Sequence, residues 1–132
     1  MRRGEDLAGI ARWLVAADEH EQALALLKRA VEAGLPDRLL FRALWDIALL
    51  EKKLERPHAA VSVFTELAGC RNEYRVCALE ELAKYYEHEE RNCSLALEFT
   101  NQALAFASSS ALTHRKARLE RRLVGSRARR LL

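Results

Sequence analysis

Leu79-Glu80-Glu81-Leu82-Ala83-Lys84-Tyr85-Tyr86-Glu87-His88 carries the spacing from which the architecture of the chain follows. Leu79, Leu82, Ala83 and Tyr86 recur at three- and four-residue spacing and form one apolar face of a helix. Ala96 follows Ala83 by thirteen residues, with Thr100 four and Ala103 seven residues further on. Two earlier segments share the pattern. Ala11 and Ala23 are twelve apart, as are Ala48 and Ala60. Leu27 and Phe64 stand four residues beyond the second alanine, and Ala30 and Leu67 seven beyond it. The second alanines recur at intervals of 37 and 36 residues, a period suited to arrays of helical hairpins. A small residue on one helix facing a small residue on the next lets the backbones approach closely. A larger residue one turn later fills the adjoining groove.

Working outward, the spacing predicts hairpins over about 5–34, 37–69 and 73–108 and a capping helix over about 111–124. Leu7, Ile10, Ala11, Leu14 and Val15 form the apolar stripe of the first helix. Gly34 suits a C-terminal cap, Pro57 a first helical turn, and Asn92 or Ser94 an N-terminal cap. Asp37 is expected to cap the third helix. Residues 125–132 are expected to form a basic, frayed tail on a single domain spanning 1–124.

Composition agrees with an all-α fold. Two prolines and five glycines in 132 residues leave room for long helices. No apolar run approaches the ~20 residues of a membrane span. Met1-Arg2-Arg3-Gly4-Glu5-Asp6 has no apolar core behind its charges, unlike a signal peptide, so a cytoplasmic protein with no membrane partner is expected. Cys70, Cys77 and Cys93 contain no CxxC pair and read as reduced, mostly buried thiols. The net charge of +3 conceals an asymmetry: residues 115–132 carry seven arginines and Lys116 against Glu120, a net of +7, which leaves −4 on the remainder.

The alanine register resembles that of the tetratricopeptide repeat, although Glu51 stands where that family favours tyrosine and Thr100 where it favours phenylalanine. The resemblance implies a right-handed α-α superhelix of three tetratricopeptide-like hairpins plus a C-terminal capping helix. A narrower resemblance rests on Ala43-Leu44-Trp45-Asp46-Ile47-Ala48-Leu49-Leu50, Glu80 through His88, and His114-Arg115-Lys116-Ala117-Arg118-Leu119-Glu120. These segments are similar to the C-terminal helical region of bacterial proteins that carry a ribonuclease-H-like, predicted DEDD-type exonuclease domain ahead of it. That nuclease domain has no counterpart in this chain, so the resemblance carries over no catalytic residues.

The repeat resemblance implies a partner groove lined by Glu5, Ala8, Arg12, Val15 and Ala16, then Arg42, Trp45, Leu49, Lys52 and Lys53, then Cys77, Glu80, Lys84, Glu87 and His88. An aromatic anchor at Trp45 among Arg12, Arg42 and Lys84 would suit an acidic or amphipathic peptide helix. Against this stands packing of Trp45 on a neighbouring hairpin, with the charges as a solvated face. Lys84 is placed to pair with Glu80 and Glu87. No nucleophile–base pair, metal-ligand spacing or cofactor motif emerges, so a non-enzymatic protein- or peptide-binding scaffold without cofactor is expected.

The alternative is a nucleic-acid-binding accessory module of a nuclease. Arg115, Lys116, Arg118, Arg121 and Arg122 would then contact phosphates without reading sequence. The structural reading of the same cations is a capping helix in which His114, Arg115 and Arg118 bond back onto Glu80 or Glu87. Self-association through Phe41, Leu131 and Leu132 is a further route, because the ends of repeat arrays expose apolar faces.

Overall fold

Helix-favouring residues and regularly placed breaks divide the chain into seven helices in the computed structural model, which describes residues 3–131. They are α1 (Arg3–Ala16), α2 (His20–Ala33), α3 (Asp37–Lys53), α4 (Pro57–Ala68), α5 (Arg75–His88), α6 (Cys93–Phe106) and α7 (Ser110–Leu131). The fold is all-α. The expectation placed on Leu132 lies outside the described residues, as does the part of the N-terminal reading carried by Met1 and Arg2. The chain divides between Tyr74 and Arg75 into two compact units. The first holds α1–α4, with α1 against α2, α2 against α3 and α3 against α4. The second holds α5–α7, with α6 packed on both α5 and α7.

Close approach explains the alanines. Ala11, Ala23, Ala48, Ala83 and Ala96 are fully buried and Ala60 is 3% exposed. Leu27, Phe64 and Thr100 are buried beside them, as are Ala30, Leu67 and Ala103. Each large apolar member of this set contributes roughly 1.5–3 kcal/mol through burial, while the alanines set the distance at which that burial happens. Gly4 serves the same purpose at the start of α1. A Cβ there would lie 2.4 Å from the Gly34 carbonyl oxygen and 3.1 Å from that of Ala30.

The repeat also appears in the backbone. Asp18, Glu55 and Arg91 each stand five residues before the second alanine of their hairpin, and each adopts a left-handed φ, of 68°, 60° and 52°. In the first two turns the left-handed residue donates its N–H to a carbonyl three residues back. The next residue donates to one five back (Glu19 to Leu14, Arg56 to Glu51), the paired bonding of a Schellman cap. The third turn carries the additional residue, and there Asn92 donates to Tyr86, six back. One inserted residue thus widens the turn without disturbing the alanine register.

Several local expectations change. Ile10 is 50% exposed and Val15 38%, because Gly4, Ala8 and Ala11 form the buried stripe of α1. Asp37 is the first residue of α3 and makes no capping bond; Pro36 precedes it. Asn92 does cap α6, accepting a bond from the Leu95 N–H, and Gly34 ends α2 with φ 99°. The tail expected to fray continues α7 through Gly125 to Leu131. Its arginines, Ala128 and Leu131 are strong helix formers that outweigh one glycine, which costs roughly 1 kcal/mol. Cys70 and Cys77 are exposed and Cys93 half-buried, all as free thiols, rather than mostly buried.

Candidate functional site

In the second unit a buried carboxylate organises the meeting of α5 and α7. The Glu87 side chain is 0% exposed. Its Oε1 accepts from Arg115 Nη1 and from Arg118 Nη2 at 2.8 Å. Its Oε2 accepts from Arg118 Nε at 2.9 Å and Arg122 Nη1 at 2.7 Å. Arg115, Arg118 and Arg122 fall at spacings of three and four residues, so one face of α7 presents all three guanidiniums. Arg118 binds both carboxylate oxygens in a bidentate fork. Burial pushes the Glu87 carboxyl up, but the hydrogen bond and charge of Arg118, with the charges of Arg115 and His88, outweigh it and hold the pKa below its ordinary value.

This arrangement corrects two expectations. Glu87 is not a groove residue, because its carboxylate is consumed by α7. Arg115, Arg118 and Arg122 all bond Glu87, and the Arg115 side chain, only 14% exposed, is too enclosed to reach an external phosphate, whereas Arg122 is 50% exposed. Lys116 is half-buried and Arg121 exposed on the same helix. His114 is exposed, while Arg115 and Arg118 bond to Glu87 and not to Glu80. Lys84 sits 3.9 Å from Glu80 and 3.7 Å from Glu81, and so pairs with Glu81 where Glu87 was expected. His88 is exposed, with Nε2 3.7 Å from Glu87 Oε1.

Beside this cluster is an open cavity of about 610 Å³ lined by Glu87, His88, Arg91, Cys93, Arg122, Ser126 and Arg129. It is the product of three local facts: α5 ends at His88, the left-handed Arg91 turns the chain, and α7 continues past Gly125. Arg91 was not singled out from the sequence; Arg129 belongs to the basic tail read as a source of phosphate contacts, but the reading of that tail as frayed gave it no position.

The first unit has its own cavity, of about 300 Å³, lined by Arg12, Val15, His20, Arg42, Asp46, Leu49, Leu50 and Lys53. Arg12, Val15, Arg42, Leu49 and Lys53 come from the expected groove set, and α1 and α3 bring them together. Asp46 was not singled out. Burial pushes its carboxyl up, and the nearby charges of Arg42 and Arg12 offset this only in part. Trp45 does not line this cavity. Its ring stacks on Tyr74 at 5.6 Å between centroids and meets the Phe64 ring edge-on at 5.5 Å, so it joins α3 to α4 and to the segment after it. Lys52 is exposed on α3, outside the cavity lining. Trp13, which sequence reasoning passed over, is 71% exposed one turn from Ile10.

A second buried carboxylate, Glu51, marks the first unit. It lies 3.2 Å from Arg56 and 3.7 Å from Lys28, and Arg56 also bonds Glu21. Its burial is offset by these ion pairs. Among the described residues no group of three or more His, Cys, Asp and Glu side chains converges as a metal site would. No helix among them is long and apolar enough to cross a membrane.

Comparison with known proteins supplies one relative. Over 100 residues, 75% of this chain, the sequence is 35% identical to uncharacterized protein YprB of Bacillus subtilis (strain 168). The match spans 24% of that protein, so the chain corresponds to about a quarter of its length. No family model matches, and no solved structure matches. The chain is thus similar to one segment of a longer bacterial protein.

Proposed function

We propose that this chain is a non-catalytic, tetratricopeptide-like interaction module that binds an acidic or amphipathic segment of a partner protein. The observation that carries the reading is the open cavity between α1 and α3. Arg12, Arg42 and Lys53 surround Val15, Leu49 and Leu50 there, and Asp46 is the sole carboxylate among the lining residues. Val15 and Leu49 are 38% and 37% exposed, so apolar surface is available between cations. That pairing suits a helix with one apolar edge and acidic flanks, recognised through apolar anchors and charge complementarity. The repeated alanine register supports the same reading, because helical-hairpin arrays present a continuous helix face to partners. Similarity to part of a longer bacterial protein is compatible with a module acting beside another domain. A ribonuclease-H-like nuclease domain is our proposal for that neighbour.

A peptide array of amphipathic helices graded in acidity tests the proposal, read by fluorescence anisotropy. Acidic peptides should bind wild type and lose most affinity to an Arg12→Glu/Arg42→Glu variant. Trp45→Ala, outside the cavity, should lower thermal stability while leaving affinity below the melting range intact. Equal binding by the charge-reversed variant, or no preference for acidic peptides, would sink the reading.

A further inference from the structure

The cavity at the α5–α7 corner carries an inference independent of the peptide-binding reading. Five guanidiniums gather there. Arg91, Arg122 and Arg129 line the space, and Arg115 and Arg118 stand behind it on Glu87. Against these five positive charges the cavity and its backing hold one carboxylate, leaving a net of +4. Glu87 pairs with Arg122 of the lining but not with Arg91 or Arg129, because its oxygens are filled by two bonds each, from Arg115, Arg118 and Arg122. Glu90, the residue before Arg91, is bonded by the Tyr85 hydroxyl instead. Among the described residues neither Arg91 nor Arg129 has a carboxylate partner. Such an excess of positive charge around a concave space favours an anion.

The donors identify its class. The lining offers donors from three guanidiniums and the Ser126 hydroxyl, of which Glu87 takes one bond from Arg122. A phosphoryl group has three terminal oxygens and a charge of about −1.5 to −2, and matches the planar forks of arginine. The cavity also adjoins the first residue of α6, Cys93, where the helix dipole adds a partial positive charge. We propose that this cavity is a phosphate-binding site, in which Arg91, Arg122 and Arg129 contact the phosphoryl oxygens and Ser126 donates a further bond. Glu87 is a positioning residue: by holding Arg122 from behind it fixes one guanidinium in the wall. The phosphoryl group is either that of a free phosphate compound or that of a nucleic-acid strand.

Titration of the intact chain with pyrophosphate by calorimetry, and with a labelled single-stranded oligonucleotide by anisotropy, at ~50 mM salt, tests this. The informative variant is Arg91→Gln/Arg129→Gln, which leaves every bond to Glu87 in place and whose melting curve checks the fold. The charge-matched control is Arg29→Gln/Arg38→Gln, two exposed cations of the first unit. Saturable binding that weakens roughly tenfold or more in the cavity variant, the loss of at least one charge-assisted bond, and not in the control, supports the site. Saturation by pyrophosphate identifies a free-phosphate site. Cavity-dependent binding of the oligonucleotide alone identifies a strand phosphate. Equal losses in the two variants, or no saturable binding of either probe, overturns the proposal.

Discussion

Replacing Glu87 by glutamine leaves three guanidiniums facing an amide where a carboxylate stood. The amide keeps the shape of the side chain but presents one acceptor and one donor, and the donor points at other donors. Breaking a buried ion pair by removing one partner costs about 3–5 kcal/mol. Arg118 and Arg122 are 36% and 50% exposed and can rehydrate, whereas Arg115 is 14% exposed and cannot, which places the cost near the lower limit, about 3 kcal/mol. For a chain of this size that is a fall of roughly 10 °C in melting temperature. Circular dichroism melts and urea titration at pH 7 measure it. The arginines should follow their burial, with Arg115→Ala costing most and Arg122→Ala about 1 kcal/mol or less. The pH dependence is the sharper check. The Glu87 pKa is lowered on folding from 4.5, so its stabilisation is fully present above that value and is lost as pH falls through the folded pKa. The difference between wild type and Glu87→Gln should therefore be flat from neutral pH down to about 5 and shrink below it. A difference under about 0.5 kcal/mol at pH 7, within the range of ordinary surface changes, would refute the reasoning. So would one that persists unchanged in acid.

Other outcomes follow from single features of the fold. Gly4→Ala places a methyl group against the Gly34 and Ala30 carbonyls, which are backbone and cannot rotate away, and should cost about 1–3 kcal/mol by urea unfolding. Glu55→Gly relieves a left-handed backbone at an exposed residue; the relief of about 1–2 kcal/mol exceeds the entropy glycine adds to the unfolded chain, so the melting temperature should rise. Asp46 acts in the opposite sense to Glu87. Its folded pKa is raised, so its contribution is full below 3.8 and lost as pH rises through the folded value. Asp46→Asn should accordingly stabilise at pH 7 and be neutral at pH 3, as measured by melting at the two pH values.

Legibility of the chain depended on the range of the interaction. The alanine register is a property of single hairpins, and every alanine it named is buried, because only a methyl group fits where two backbones meet. The same holds for Gly34, Pro57 and Asn92, whose roles rest on neighbouring residues. Trp45 shows where local reading stops. Its place on α3 put it beside the groove, but the rings of Phe64 and Tyr74 bury one of its faces, and a large aromatic follows the greater burial. Five of the eight residues lining the first-unit cavity were implied by the repeat resemblance; His20, Asp46 and Leu50 join it through the packing of α1, α2 and α3.

Residue pattern alone was enough to give an all-helical protein, the breaks between its seven helices though not the end of the last one, and the small residues that sit between paired helices. Those features arise from periodicity and turn chemistry, which act within about a dozen residues. Only the tertiary structure decided how the charges are used. Glu87 and Arg122 are separated by 35 positions, and no local rule distinguishes the carboxylate that is buried among guanidiniums from Glu80, Glu81, Glu89 or Glu90 beside it. Long-range packing removes water from Glu87 altogether, covers Glu80 and Glu81 in part, and leaves Glu89 and Glu90 exposed. That difference in desolvation turns part of a basic tail into a structural clasp and leaves the rest of it around an open, positively charged cavity.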